Sequence, residues 1–158
     1  MTSNRWPLFG LRLRTPRLEL RLPTPADLDA LADLAAAGVH DEDTQPFTAA
    51  WTDAPPDQRA LSTVQHHWSA WGSWKPAQWT LNLVADRDGT IVGTQGASLA
   101  VSRKHGYADD GVDRVVIRGQ AAVVRRLRLD RPTWEAHRRI PVEIEGLGPC
   151  LEHFGVDG

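Results

Sequence analysis

Cysteine is nearly missing from this 158-residue chain, with Cys150 the single one. That excludes an intramolecular disulfide framework and suits a reducing compartment. A strong charge of either sign is also missing. The formal net charge is −2, which argues against nucleic acid or an anionic membrane surface as the default partner. No apolar run approaches the roughly eighteen residues a membrane span needs, and the opening "MTSNRWPLFGLRLRTPRLEL" scatters arginines where a secretory signal would carry an apolar stretch. Phenylalanine and tyrosine are scarce, three and one, while tryptophan is present seven times. Such large rings carry much burial area, so the indoles are expected to fill a core. The composition points to a soluble, cytoplasmic protein, a single domain over residues 1–158.

What is present is a mixed order of elements. Residues 1–10 carry no pattern and are expected to form a loose arm. From Leu11 to Leu22 apolar residues recur at period two, at Leu11, Leu13, Leu18, Leu20 and Leu22, as in a strand with one buried face, interrupted by Pro16. Thr24 is a good N-cap, Pro25 suits the first helical position, Asp27 and Asp29 favour the positive helix start, and Gly38 is placed to terminate. Leu28, Leu31 and Leu34, with Ala35 beside them, mark the inner stripe. A second helix is expected from Pro56, with Leu61, Val64, Trp68 and Trp71 on one indole-rich face, broken by Gly72 and Pro76. A hairpin follows, Thr80 to Ala85 and Thr90 to Thr94 around "DRDG". Then come a short helix in "ASLAVSRKHG", a second hairpin turning near Gly119, and a helix starting at Asp130 with Pro132 in its first turn. The tail, residues 140–158, alternates only at Val142 and Ile144 and is expected to be irregular. The order predicts an α+β fold with a mostly antiparallel sheet.

Few residues carry chemistry by spacing alone. His66 and His67 are adjacent on a helix, whereas paired metal ligands prefer positions three or four apart; one ring inward and one in solvent is the expected arrangement. His40 to Asp43, "HDED", sets an imidazole among three carboxylates just past a helix end, where a solvated acidic loop competes with a general base or a cation site. The run "RRLRLDRPTWEAHRR" is a solvated sheet face rather than a nucleic-acid surface, since Arg126 and Arg128 share one face and no stacking platform accompanies them. Neither a Gly-x-Ser-x-Gly elbow nor a phosphate-binding Walker loop occurs, and no metal site is expected.

The stretch "RLELRLPTPADLDAL", from Arg17, resembles the opening of the RimJ/RimL-like branch of the GNAT superfamily, acetyl-CoA-dependent N-acetyltransferases. "WTLNLVADRDGTIVGTQG" is similar to the family's second and third strands. "ASLAVSRKHGYADDG" is similar to its late motif, with Ser98, Lys104, Gly106, Tyr107 and Gly111 on matching positions. The second hairpin and the helix bearing Trp134 also suit the branch. The resemblance covers roughly residues 11–135, and it implies a GNAT-like fold.

The family's central segment, a fourth strand followed by a glycine-rich loop opening a long helix, lies between those halves and is missing here. Glycines there let the backbone close on the cofactor's pyrophosphate, and free N–H groups at the helix start face its charge. "QGASLA" is either a degenerate version of that loop or the point where the third strand joins the late helix directly, and the fit of the late motif favours the second. The chain is therefore expected to be a truncated GNAT-like fold. The resemblance implies transfer of an acetyl group from acetyl-CoA to a small-molecule or N-terminal amine, with Ser98 as general acid; His40 or Glu42 of the acidic loop is the expected general base. Gln95, Gly96, Ser98, Lys104 and Tyr107 would face the cofactor, and Trp51, Trp68 and Trp79 the acceptor. The competing expectation is a non-catalytic remnant that works by interaction, and exposed strand edges would invite a homodimer.

Overall fold

The computed structural model describes residues 5–41, 47, 49–94, 105–117 and 119–156. The architecture is α+β with antiparallel sheets, and the chain divides into two compact units. The first takes in Met1–Thr44, Trp51–Gln95 and Val142–Gly158; the second takes in Gln45–Ala50 and Gly96–Pro141.

In the first unit a 3-10 turn, Pro7–Gly10, leads into β1 (Arg12–Arg14), β2 (Glu19–Arg21), α1 (Pro25–Ala37), the part from Trp51 of a 3-10 turn at Ala50–Asp53, and α2 (Pro56–Gly72). Then follow β3 (Val84–Arg87) and β4 (Thr90–Thr94), and the chain returns after Pro141 as β7 (Glu143–Glu145). The sheet order is β4-β3-β2-β1-β7, each pair antiparallel.

The predicted single strand through Pro16 is in fact two. Thr15 makes the reversal: its N–H donates to Leu18 O at 2.9 Å, and its hydroxyl oxygen accepts from the N–H of Leu18 at 3.0 Å. Leu13 then lies opposite Leu20. A proline suits the second position of such a turn, where φ near −65° is already required. The second reversal falls on Asp88 (φ +54°) and Gly89 (φ +83°). Two left-handed residues make the tight turn whose twist matches the strands, so β3 runs two residues beyond the expected Ala85.

Alternation along the strands divides the core between the two faces of the sheet. On one face Leu11, Leu22 and Leu83 pack with Leu8 and Cys150, and Leu13 and Leu20 border them. On the other, Val84 packs with Leu28 and Leu31 of α1, flanked by Val64 of α2 and by Ile91. Trp71 touches both clusters. The α1 expectation holds from cap to stop: Thr24 and Asp27 form a reciprocal capping box, and Gly38 (φ +110°) ends the helix. Its inner stripe is Leu28, Leu31 and Ala35, while Leu34 is exposed. In α2 the buried face is Val64, His67 and Trp71, and Leu61 and Trp68 are each 56% exposed. The apolar pattern had joined a flanking stripe to the buried one, because the most buried residue, His67, is polar.

Two terminal stretches depart from expectation. Of the expected loose arm, residues 1–10, the described part from residue 5 is anchored: Leu8 is 0% exposed, and the Trp6 ring meets Trp74 edge-on at 5.8 Å. The 140–158 tail contributes β7, whose Ile144 pairs with Leu13. It also contributes buried Cys150 and Phe154, the latter against Trp79 at 4.9 Å. Gly146 (φ +76°) is required there, since a Cβ would collide with the carbonyl of Gly10.

The second unit contains β5 (Ala108–Ile117), β6 (Gln120–Arg128) and α3 (Arg131–His137). β5 and β6 pair antiparallel as a two-stranded sheet, with Gly119 at the reversal, as expected. Asp130 caps α3 by accepting from the N–H of Thr133 at 2.8 Å, also as expected.

Candidate functional site

The best-formed polar cluster of the first unit joins three elements. Arg21 on β2 is 14% exposed and binds both carboxylate oxygens of Asp27 on α1, and its Nη2 donates to Asp86 on β3 at 3.1 Å. Asp27 also accepts from the N–H and hydroxyl of Thr24, each at 2.7 Å. Burial would raise the carboxyl, but the Arg21 guanidinium and the two Thr24 donors together hold it down at about 2. Arg21 is raised chiefly by its bond to Asp27. This cluster pins the start of α1 to the sheet. Arg59 of α2 ties the other end of α1 to α2, donating from Nε to Ala35 O at 2.9 Å and from Nη2 to Ala36 O at 2.6 Å. It satisfies helix carbonyls that lack partners within α1. The sequence analysis missed Arg59. The one available signal was negative, the lack of a basic residue in the last turn of α1.

His66 and His67 divide as expected. His66 is exposed and 3.1 Å from Asn82 Nδ2, while His67 is 2% exposed with its ring at 84° to the first. The Nδ1 of His67 has no hydrogen-bond partner among the described residues. Burial, with a smaller contribution from His66, lowers its pKa to about 4. The folded state therefore keeps this imidazole neutral at pH values where the unfolded chain protonates it. Its contribution to stability is complete above about pH 6.5 and is lost as pH falls toward 4. The unfolding free energy is expected to drop by about 3 kcal/mol over that interval from this group. A His67→Leu variant, followed by urea unfolding at pH 7 and pH 4, should lose that component; an unchanged pH dependence would refute the assignment.

The candidate catalytic and cofactor-side residues are only partly described. Glu42, Gln95, Gly96, Ser98 and Lys104, with the expected short helix, lie outside the described residues. His40 follows the end of α1, and its Nδ1 lies 2.8 Å from the carbonyl of Asp41. Tyr107 is 38% exposed, next to Gly106. Gly106 has φ +84°, and a Cβ there would stand 2.6 Å from Thr133 Cγ2 and 2.8 Å from His137 Nδ1. The motif glycine is thus needed for close packing against α3.

The indoles are not gathered into one pocket. Trp79 stacks on Trp74 at 5.4 Å, within an aromatic cluster completed by Trp6 and Phe154, and Trp74 donates to His153 O at 2.8 Å. Beside Trp79 is a groove of about 350 Å³, lined also by Ser73, Lys75, Gln78 and Thr80. Trp68 faces outward from α2, and Trp51 lies half-buried in the Ala50–Asp53 turn. A second groove of about 340 Å³ lies between the β1–β2 and β3–β4 turns, with Arg14, Arg17, Asp86 and Asp88 on its walls. Cys150 is 0% exposed, its Sγ bonded to Gly146 O at 3.1 Å, and burial pushes the thiol up, so it is not poised as a nucleophile. No helix among the described residues is long and apolar enough to cross a membrane. No family model matches the chain.

Proposed function

We propose that the chain is a relative of the RimJ/RimL-like GNAT acetyltransferases, a cytoplasmic protein built to transfer acetyl from acetyl-CoA to an amine. One observation carries the reading: the strand-to-helix start in which Arg21 of "RLELR" binds the capping Asp27 of "TPADLDAL". The residues that carry the resemblance are thus the residues that fasten α1 to the sheet. In this reading Ser98 protonates the departing thiolate, and His40 or Glu42 takes the amine proton. Gln95, Gly96, Lys104 and Tyr107 belong to the cofactor side, and Trp51, Trp68 and Trp79 to the acceptor side.

A second reading is favoured by a chain length. Only residues 95–107 separate β4 from β5. A strand, a pyrophosphate-binding turn, a helix of about 11 residues and a further strand of about 5 do not fit in that span. The alternative is a GNAT-like interaction module without transfer activity. Thermal unfolding with and without millimolar acetyl-CoA separates the two. An enzyme gains several degrees, since a ligand at 100 times its Kd contributes about 2.7 kcal/mol, and it releases free thiol in the presence of amines. No shift and no thiol leave the interaction module.

A further inference from the structure

The hairpin of the second unit has two open edges, and they differ. Among the described residues no third strand lies beside either β5 or β6. The β5 edge is blunted: its register slips between Asp109 and Val112, Gly111 sits in the bulge at φ +92°, and Asp109, Asp110 and Asp113 line it. A bulge and charges of one sign are the usual protections of an edge strand. The β6 edge has no bulge, and its charges are three arginines, Arg125, Arg126 and Arg128, gathered in its second half behind an apolar first half. It runs nine residues, "QAAVVRRLR", without glycine, proline or an inserted residue. On the same face, Val116 is 74% exposed and Val123 65%.

We propose that β6 is a self-association surface, pairing antiparallel with β6 of a second copy to give a four-stranded sheet. A two-fold axis normal to the sheet keeps each face continuous, so it must pass beside a residue rather than between two. Centred on Val124, it overlaps all nine residues. Val124 then faces the partner's Val124, Val123 faces the partner's Arg125, Ala122 the partner's Arg126, Ala121 the partner's Leu127 and Gln120 the partner's Arg128. No arginine opposes another. Moving the axis to Arg125 or Arg126 sets like charges against each other and shortens the overlap. The arginines also arrive with counter-charges in place: Arg125 pairs with Asp109 and Arg126 with Asp113, each at 3.3 Å on their own hairpin. The aliphatic stem of each Arg125 covers the exposed Val123 across the axis.

The test is sedimentation equilibrium of the whole chain over a concentration series, with two variants at exposed Val123. The parent chain sediments as a dimer. Val123→Lys sets an ammonium opposite the partner's Arg125 twice per dimer and weakens the dimer about tenfold. Val123→Glu sets a carboxylate there and tightens it severalfold. Circular dichroism confirms that both variants fold. A parent chain that stays monomeric, a mass that grows beyond the dimer, or two variants that shift in the same direction each overturn the proposal. The surface does not depend on acetyl transfer, so a chain inert toward acetyl-CoA leaves it standing.

Discussion

Arg21→Met is expected to lower the unfolding free energy by about 3–5 kcal/mol, the range for removing one partner of a buried ion pair. The substitution keeps the length and apolar stem of the side chain and deletes the guanidinium. Asp27 and Asp86, 11% and 17% exposed at their side chains, are left facing a thioether. Asp86 retains the N–H of Gly89 at 2.8 Å, and Asp27 retains Thr24, so neither is wholly orphaned. Asp27→Asn in the same background should recover part of the loss, because a neutral amide can stay buried beside Thr24 where a carboxylate cannot. Urea denaturation followed by tryptophan fluorescence measures both. A loss under about 1 kcal/mol would mean that the pair behaves as a solvated surface contact. The sign of the pH effect follows from the same geometry. Asp27, held at about 2, against 3.8 ordinarily, contributes stability above about pH 4 that is lost as pH falls through 2.

The second large effect is at Leu8. Leu8→Ala should cost about 2–5 kcal/mol, the transfer of the lost methylenes plus the cavity left among Leu11, Leu22, Leu83 and Cys150. Leu61→Ala, at a 56% exposed position on α2, should cost less than about 0.5 kcal/mol and serves as the control. Thermal melts of the two variants decide the matter. Equal effects would mean that the segment before β1 is not part of the core.

Much of this fold is legible because its signals are local. Thr24, Pro25, Asp27 and Gly38 delimit α1 by capping chemistry alone, and Asp130 does so for α3. Asp88-Gly89 and Gly119 mark reversals that need left-handed backbone. The split of β1 from β2 also left a trace: the apolar positions change from odd to even across Pro16, as a reversal that sets Leu13 opposite Leu20 requires. Other features depend on partners distant in sequence. "EIE" is too short for periodicity to declare a strand, and β7 exists because β1 lies beside it. Likewise the buried face of α2 is centred on a histidine that no hydrophobic pattern would choose. The candidate site was least legible. Seven indoles suggested both a core and an acceptor wall, and composition cannot distinguish a ring stacked inside an aromatic cluster, such as Trp79, from one turned outward, such as Trp68.

The pairing of β7 with β1 has a consequence for how this chain comes off the ribosome. The first sheet strand to emerge has one of its two neighbours far later in the chain, with Arg14 bound to Glu145 across a separation of 131 residues, and Leu8 waits for Cys150. The first unit therefore cannot close during translation while residues 96–141 are being made. A chain released before residue 142 exposes an apolar face and an open strand to every quality-control protease it meets.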